Sequence, residues 1–398
     1  MVRLKALLSY LKRAQLLIFV LLALALGLWL SLSVSAWWLL LAVPAGLASL
    51  LGLHDAFQRR EVINRNYPLA AHIRWIGLHL RPYFRAYMVE DDLEGRPYSA
   101  EARRLIKARA SGSNETHPFG TELDVNADGY SWISHSIAAS DDHNSDPRIS
   151  VGSPQCAKPY SASLLNISAM SFGALSANAI RALNYGASQG GFYHDTGEGG
   201  LSTYHLEHGG DLVWELGSGY FGCRDKDGRF DPEMFRDKAQ HDSVKMTEIK
   251  LSQGAKPGHG GLLPAAKVSA EIARVRNVPA HEDCLSPRSH SAFSTPIEML
   301  EFAARMRDLS GGKPVGIKLC VGQLHEVFAI QKAMLETGIR LDYIVVDGAE
   351  GGTGAAPLEL SNSVGAPLRD GLVIMRNALV GCNLKKEVRL AASGNVVS

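Results

Sequence analysis

Short apolar runs alternate with amphipathic stretches from about residue 160 to the end of the chain. Continuous apolar runs bounded by polar turns are typical of strands buried on both faces. Because most of these runs precede a stretch of helical periodicity, the pattern predicts a parallel β/α architecture. We predict seven strands, at residues 164–169, 191–194, 212–216, 244–251, 315–320, 343–346 and 388–391, and helices at 174–189, 264–275, 296–309, 324–337 and 368–380.

Glycine-rich polar loops follow most of the predicted strands: SFGALS, HDTGEGG, GSGYFG, SQGAKPGHGG and DGAEGGTGAAP. In a TIM-type barrel such loops line the catalytic face, whereas a doubly wound sheet concentrates its site at one switch point. The pattern therefore favours an α/β fold with a TIM-like (β/α) barrel. Seven strands are one short of a closed barrel, so we expect a barrel truncated after strand 7. A longer parent protein is the favoured explanation, and a partner that supplies the missing strand is the alternative.

The N-terminal pattern is different, because residues 14–54 contain no Asp, Glu, Lys or Arg. Segments 16–34 and 36–53 are each close to the roughly 20 apolar residues that cross a bilayer. Three tryptophans near the break between them suit a membrane interface, and basic residues flank both ends of the run. We predict a two-helix transmembrane hairpin with both flanks in the cytoplasm; a single span or a signal peptide is the alternative.

The composition argues against a nucleic-acid partner and against a disulfide-bonded fold. Lys+Arg total 41 against Asp+Glu 40, a balance that argues against nucleic acid as a partner. The cysteines show no CxxC spacing, which fits reduced thiols better than a disulfide framework: Cys156, Cys223, Cys284, Cys320 and Cys382. We expect three regions: the hairpin at 1–54, a membrane-proximal collar at 55–158 and the barrel at 159–398. The expected location is the inner (cytoplasmic) membrane, with the catalytic domain in the cytoplasm.

The loop at 249–267 holds the most informative chemistry. Lys250 and Lys256 lie among glycines whose exposed backbone admits a ligand closely, and Gln253 and His259 add donors. Two lysines beside free amides suit a phosphate or a dicarboxylate. Solvated surface lysines are the alternative interpretation.

Lys318 lies near the end of its predicted strand and points inward if the alternation holds. A buried lysine is costly unless it faces an anion, and a reduced flavin is negative around its N1–C2=O edge. A structural pair with Asp347 or Glu350 is the alternative. The loop at 347–357 offers glycine amides for a phosphate or ribityl group, although it matches neither a P-loop nor a Rossmann fingerprint.

Taken together and in order, these motifs resemble the FMN-binding domain of glutamate synthases. The segments are NISAMSFGALS at 166–176, DTGEGG at 195–200, KLSQGAKPGHGG at 250–261, GIKL at 316–319 and DGAEGGTGAAP at 347–357. With its apolar N-terminus, the chain is similar to the short, membrane-attached branch of FMN-binding glutamate synthase family proteins.

The resemblance implies an oxidoreductase acting on CH–NH2 donors, in which reduced FMN passes a hydride to 2-iminoglutarate, made from 2-oxoglutarate and ammonia, to give L-glutamate. It implies an electron-donor protein, either ferredoxin or an NAD(P)H-dependent subunit. Catalytic roles fall to Lys318 and Glu198. The predicted FMN contacts are Ala169, Met170, Ser171, Gln253, Lys318, Asp347, Gly351, Gly352, Thr353 and Gly394, and the predicted substrate contacts are Lys250, Gln253, Lys256, His259 and Arg276.

Some features depart from the long glutamate synthases. His259 replaces a glutamate and Leu262 a glutamine, which opens the alternative of a related amine-forming enzyme such as an N-methylglutamate synthase subunit. The chain has no N-terminal cysteine nucleophile. We expect the cysteines of the family's 3Fe–4S cluster, and the last phosphate loop, only in a longer version, and therefore weak or no FMN retention here. A non-catalytic membrane-anchored fragment is the alternative from another class. We also expect Lys318→Ala to impair reduced-flavin stability far more than folding.

Overall fold

The computed structural model describes residues 10–114, 116, 120–130, 132–138, 146–256, 261–352, 356, 357 and 359–397. The chain forms two compact units, Met1–Thr116 and His117–Ser398. Within the described residues the first unit is entirely helical, and the second holds every strand.

The first unit begins with two long apolar helices, α1 (Gln15–Ser33) and α2 (Leu39–Phe57), joined by a 3-10 turn at Ala36–Trp38. A Cβ on Gly27 would lie 3.0 Å from the backbone nitrogen of Ala42, so the glycine allows the two helices to approach closely. With the turn included, the apolar segments are 19 and 22 residues long, enough to cross a membrane by length and composition. The two predicted apolar helices are therefore present, and their crossing of a membrane remains a prediction.

Three further helices follow in this unit: α3 (Val62–Asn66), α4 (Ala70–Phe84), which continues into a π-helical turn at Arg85–Val89, and α5 (Ala100–Ser111). Asp55 is the first charged residue after the apolar run. Its buried carboxylate accepts hydrogen bonds from the Leu69 amide at 3.1 Å and contacts His72 Nε2 at 2.8 Å. Asp55 therefore fixes the start of α4 to the end of α2.

The second unit contains a six-stranded parallel sheet in the order β10-β9-β8-β5-β4-β3, which confirms the predicted α/β class. The sheet is curled and fits a TIM-like barrel. Its elements are β3 (His194–Asp195), β4 (Leu212–Leu216), β5 (Val244–Lys250), β8 (Val315–Leu319), β9 (Tyr343–Asp347) and β10 (Arg389–Ser393), with helices α6 (Ala177–Gly190), α7 (Thr203–Leu206), α8 (Pro232–Ala239), α9 (Ala270–Arg276), α10 (Pro296–Leu309), α11 (Leu324–Thr337) and α12 (Leu368–Gly381).

Five of the seven predicted strands coincide with strands of this sheet, and the prediction at 191–194 overlaps β3 at His194 alone. The first, at 164–169, makes only an isolated parallel bridge between Ile167 and His194, because Leu164 and Leu165 are exposed rather than buried. At the two ends of the curled sheet, Ser168 Oγ and Ser393 Oγ lie 3.0 Å apart. The predicted helix at 264–275 is divided by Ser269, whose side chain accepts from the Ile272 amide and starts α9.

Two antiparallel pairs escaped the sequence analysis. The first is a hairpin of β1 (Arg148–Val151) and β2 (Tyr160–Ser163), and the second joins β6 (Leu262–Leu263) to β7 (Cys284–Leu285). Side chains of the first hairpin pack with Val213, Met246 and Tyr343 from the amino-terminal halves of the parallel strands. This hairpin therefore covers the end of the sheet opposite the glycine-rich loops, although its first strand lies before the predicted start of the barrel at 159.

Candidate functional site

The register of the parallel strands brings polar side chains together at their carboxyl ends. In the strand register, Lys250 lies opposite Lys318 of the neighbouring strand, and Glu215 lies opposite Glu248. All four residues are buried, although they occur in otherwise apolar strands. Because side chains two residues apart share a face, Glu248 and Lys250 of β5 point to the same side of the sheet. The result is a buried charged layer beneath the glycine-rich loops that follow the strands.

Two lysines converge on one carboxylate at the rim. Lys250 Nζ lies 2.9 Å and Lys256 Nζ 3.1 Å from Glu198 Oε1. Burial alone would raise the pKa of Glu198, but the two ammonium groups outweigh it and lower the pKa to about 2. Lys250 also donates to Gln253 Oε1 at 2.6 Å. At neutral pH the group is a carboxylate between two cations, so Glu198 is suited to stabilise positive charge and not to donate a proton.

Lys318 pairs with neither of the partners that the sequence suggested. Its Nζ lies 3.1 Å from Glu215 Oε2, whereas Glu350 accepts the Leu368 amide at the start of α12 and Asp347 accepts the Gly254 amide at 2.7 Å. Burial would lower the pKa of Lys318, but the surrounding carboxylates, led by Glu215, raise it above its ordinary value. Lys318 is therefore a buried, charged ammonium.

Asp195, Glu215 and Glu248 bring carboxylate oxygens within 4.8 Å of one another around this lysine. The ammonium groups beside the cluster are Lys318, 3.1 Å from Glu215, and Lys250, which lies 4.0 Å from Glu215 and 2.9 Å from Glu198. Three buried negative charges would exceed them at a large cost, so protons must be retained. Burial, followed by the charge of Glu215, raises the pKa of Asp195 to about 8. Burial, followed by Asp195 and Glu215, raises the pKa of Glu248 well above its usual range. A Glu215–Lys318 ion pair with two neutral carboxylic acids beside it satisfies this charge balance.

Arg276 lies beside two of the glycine-rich loops, those that contain Gly173 and Gly199. Its guanidinium stacks 5.0 Å from the centre of the Phe221 ring, and a Cβ on Gly173 or Gly199 would lie 3.4 or 3.3 Å from Nη2. The side chain is buried, yet its Nε has no hydrogen-bond partner among the described residues. A buried guanidinium with a free donor is suited to bind a carboxylate.

The predicted flavin contacts on the first loops lie close together. Met170 donates its amide to Asp195 O at 3.1 Å, and Ser171 packs against Gly197 and Gly199, where a Cβ on either glycine would lie 2.9 Å from a Ser171 atom. Ala169 is half-buried just before them. The close approach explains why this loop needs glycine, and it joins the 169–171 segment to the loop that holds Glu198.

A second set of glycines encloses a recess after β9 and β10. Gly394 has φ +113°, and a Cβ there would lie 3.2 Å from the Gly348 nitrogen and 3.3 Å from the Gly351 nitrogen. Gln253 Nε2 donates to Gly352 O at 3.4 Å, which links this recess to the lysine loop. The Gly348 amide donates to Ser393 O at 2.8 Å and the Gly351 amide to Gly348 O at 2.9 Å, so these two amides are engaged by the backbone. What the glycines leave is space for close backbone approach, which fits the phosphate end of FMN.

The structure thus brings together the predicted site residues that it describes, in one region at the carboxyl ends of the strands. His259 and Thr353 lie outside the described residues. Glu215 and Glu248 were missed by the sequence analysis, although a charged residue within the runs LVWEL and VKMTEIK was the available signal. Their partners belong to other strands, so the spacing along the chain did not show the cluster.

Comparison with known proteins gives matches to the second unit and, for one relative, to most of the chain. Residues 141–398 match the model of the conserved region in glutamate synthase. The glutamate synthase large subunit-like protein YerD of Bacillus subtilis is 33% identical over 90% of this chain and 76% of its own length. The archaeal glutamate synthase [NADPH] of Archaeoglobus fulgidus is 35% identical over 57% of this chain, which spans 41% of that protein. A glutamate synthase large subunit-like protein of Rhizobium meliloti is 29% identical over 64% of this chain and 54% of its own length.

Proposed function

The chain belongs to the glutamate synthase family, and we propose that it is a membrane-tethered, FMN-dependent oxidoreductase that forms L-glutamate from 2-oxoglutarate and ammonia. An oxidoreductase follows from the family. The cofactor, the substrates and the tether are the proposal. The observation that carries it is the pair of ammonium groups of Lys250 and Lys256 at the catalytic rim, held by the single carboxylate of Glu198.

The charges of the site favour a dianionic substrate. With Asp195 and Glu248 protonated, the carboxylates that remain are those of Glu198, Glu215 and Asp347. The cations are one more in number: Lys250, Lys256, Lys318 and Arg276. A net positive, largely buried rim attracts an anion more strongly than it would in water. One carboxylate of 2-oxoglutarate would displace Glu198 from a lysine, and Arg276 would bind the other.

The reaction balances with two electrons and two protons. Ammonia adds to the keto carbon of 2-oxoglutarate and water leaves, which gives 2-iminoglutarate; a hydride to that carbon and a proton to nitrogen then give glutamate. FMN, when bound and reduced by the electron donor, would supply the hydride. The carboxylate of Glu198, with its pKa lowered to about 2, would stabilise the positive charge of a protonated imine.

The chain offers contacts for each part of the flavin. Ala169, Met170 and Ser171 would lie beside the ring system, and Lys318 would present its ammonium toward the polar edge. The glycine recess beside Gly394 would receive the phosphate, because a Cβ there would lie 3.2 Å from the Gly348 nitrogen and 3.3 Å from the Gly351 nitrogen and would close it. Electrons would come from a donor protein, and α1 with α2 would anchor the chain in the bilayer.

The proposal is tested with the full chain purified in detergent. Because the sequence predicts weak FMN retention, free FMN is kept in excess, and we expect bound flavin as a change in its visible absorbance spectrum during titration. With reduced methyl viologen as the electron source, we expect glutamate from 2-oxoglutarate and ¹⁵N-labelled ammonium, with the label in the product. A parallel assay with methylamine distinguishes glutamate formation from N-methylglutamate formation.

A matched pair of variants tests the role of the rim. Lys250 and Lys245 belong to the same strand, but Lys245 is at its other end and pairs with Asp211 at 3.6 Å. Lys250→Met should weaken 2-oxoglutarate binding by about tenfold or more, since charge-assisted contacts contribute about 1.5–3 kcal/mol, and Lys245→Met should leave it unchanged. A chain that folds but neither binds flavin nor forms either amino acid would refute the proposal.

A further inference from the structure

Helix α4 has an exposed apolar stripe. Ile73, Ile76, Leu80 and Phe84 are spaced by three, four and four residues, so they lie along one side of the helix. Their exposed fractions are 68%, 59%, 40% and 54%. An apolar stripe normally faces the core of its own unit, so a stripe left in the open indicates a surface that is covered by something else.

The stripe is not the side by which α4 packs in its unit. Ala71 is buried, and Trp75 donates its indole N–H to Asn64 Oδ1 at 2.7 Å. Both residues lie on a different side of the helix from Ile76 and Leu80. The helix therefore packs in the first unit with one side, and the apolar stripe lies on another side that is exposed.

The charge along this segment has one sign. Residues 70–89 contain no Asp or Glu, and Arg74, Arg81 and Arg85 flank the stripe. Arg85 pairs with Glu90 at 3.6 Å, whereas Arg74 and Arg81 have no ion-pair partner within the described part of the chain. An apolar stripe beside arginines on an otherwise uncharged helix is typical of helices that lie in the headgroup layer of a membrane.

The position of α4 agrees with that pattern. Its first turn is fixed to Asp55, through the Leu69 amide and the His72 ring, immediately after the apolar run of α2 ends. If α2 crosses a bilayer, Asp55 marks the level at which the chain enters water. Helix α4 therefore starts at the membrane surface. The π-helical turn that follows it exposes three more apolar side chains, Tyr87, Met88 and Val89.

We propose that α4 and the turn after it lie along the membrane surface, with the Ile73–Phe84 stripe in the acyl–headgroup boundary and the arginines on anionic phospholipid headgroups. This inference rests on the proposed hairpin, to which it adds a second and chemically different lipid contact. The hairpin would hold the chain in the bilayer, and α4 would orient the segment that leaves it. Two other outcomes compete with lipid contact: the stripe binds the second unit, or it binds another copy of the chain.

The test uses the full chain in vesicles that contain phosphatidylglycerol and a lipid with a diazirine near its headgroup. After photolysis, mass spectrometry locates lipid adducts by residue. We expect adducts on the stripe as well as on α1 and α2. Ile76→Gln should remove most of the α4 adducts. Leu78→Gln is the matched control, because Leu78 is also exposed, at 44%, but lies on the opposite side of the helix. Circular dichroism should be unchanged for both variants.

The charge dependence provides a second readout. Each arginine near an anionic surface contributes about 1 kcal/mol, or about fivefold in the ratio of docked to undocked helix. Arg74→Gln and Arg81→Gln should each lower the α4 adduct yield on phosphatidylglycerol vesicles. In phosphatidylcholine vesicles the yield should fall for the unchanged chain.

The two membrane proposals fail in different ways. Adducts on α1 and α2 but none on the stripe, or adducts that Ile76→Gln and Leu78→Gln lower equally, would overturn the inference about α4 and leave the hairpin standing. Extraction of the chain by alkaline carbonate without adducts on α1 or α2 would overturn the hairpin instead. A stripe without lipid adducts, in a chain whose α1 and α2 carry them, is the result expected if the second unit or another copy of the chain covers it.

Discussion

Replacing Asp195 by asparagine tests whether the buried acid cluster holds protons. Asp195 Oδ1 accepts the Gly197 amide at 2.8 Å, and an asparagine oxygen accepts the same bond. The amide N–H₂ can also donate where a protonated carboxyl would. Asparagine therefore imitates the neutral acid in shape and hydrogen bonding, and it removes only the ability to ionise.

The size of the expected change in unfolding free energy follows from the pKa shift of Asp195. The pKa of Asp195 rises from 3.8 to about 8 on folding, chiefly through burial. A carboxyl whose pKa rises on folding binds more protons in the folded state. Its contribution to stability is complete below pH 4 and is lost as the pH rises through about 8. A rise of about four units, at 1.36 kcal/mol each, corresponds to a loss on the order of 5 kcal/mol over this window.

The assay is urea unfolding of the full chain in detergent at pH 5, 6, 7 and 8. Tryptophan fluorescence is recorded on a background chain in which Trp214, fully buried in the second unit, is the one tryptophan kept and the other five are replaced by phenylalanine. The stability of Asp195→Asn relative to the unchanged chain should rise by up to about 1.4 kcal/mol per pH unit. Asp227→Asn, an exposed position in the same unit, should show no such trend. A loss of stability in Asp195→Asn that is the same at all four pH values would refute the proton-sharing arrangement.

Three further changes test neighbouring parts of the site. Lys318→Met leaves Glu215 only the more distant ammonium of Lys250, at 4.0 Å, and should cost about 3–5 kcal/mol of unfolding free energy by urea titration. The double variant with Glu215→Gln should recover at least half of that loss, and no recovery would contradict the ion pair. Glu198→Gln frees Lys250 and Lys256 and should tighten 2-oxoglutarate binding by calorimetry while lowering turnover; weaker binding would show that Glu198 does not compete with substrate. Gly394→Val at φ +113° should cost about 1–3 kcal/mol and reduce FMN retention by equilibrium dialysis, whereas unchanged retention would place the phosphate elsewhere.

The sequence predicted the architecture of the second unit better than its details. Buried parallel strands are continuous apolar runs, so β4, β5, β8, β9 and β10 were recognisable without any tertiary information. The run at 164–169 was mistaken for a full strand because local apolarity cannot tell a buried Leu from an exposed one. The interrupted helix near Ser269 and the hairpin at 148–163 depend on capping and on packing against distant strands, which periodicity does not record.

The candidate site, too, was predictable from the sequence only in part. The lysine loop, Lys318 and the glycine loops were predicted from residue type and from their place after apolar runs, because the carboxyl ends of parallel strands meet at one edge. The partner of Lys318 was not predictable, since Glu215 is 103 positions away and meets it only through the strand order. Proton sharing among Asp195, Glu215 and Glu248 likewise depends on distances across three strands. Chain-local chemistry was therefore determined by the sequence alone, and the electrostatics of the barrel interior was decided by the fold, because buried charges interact through space rather than along the chain.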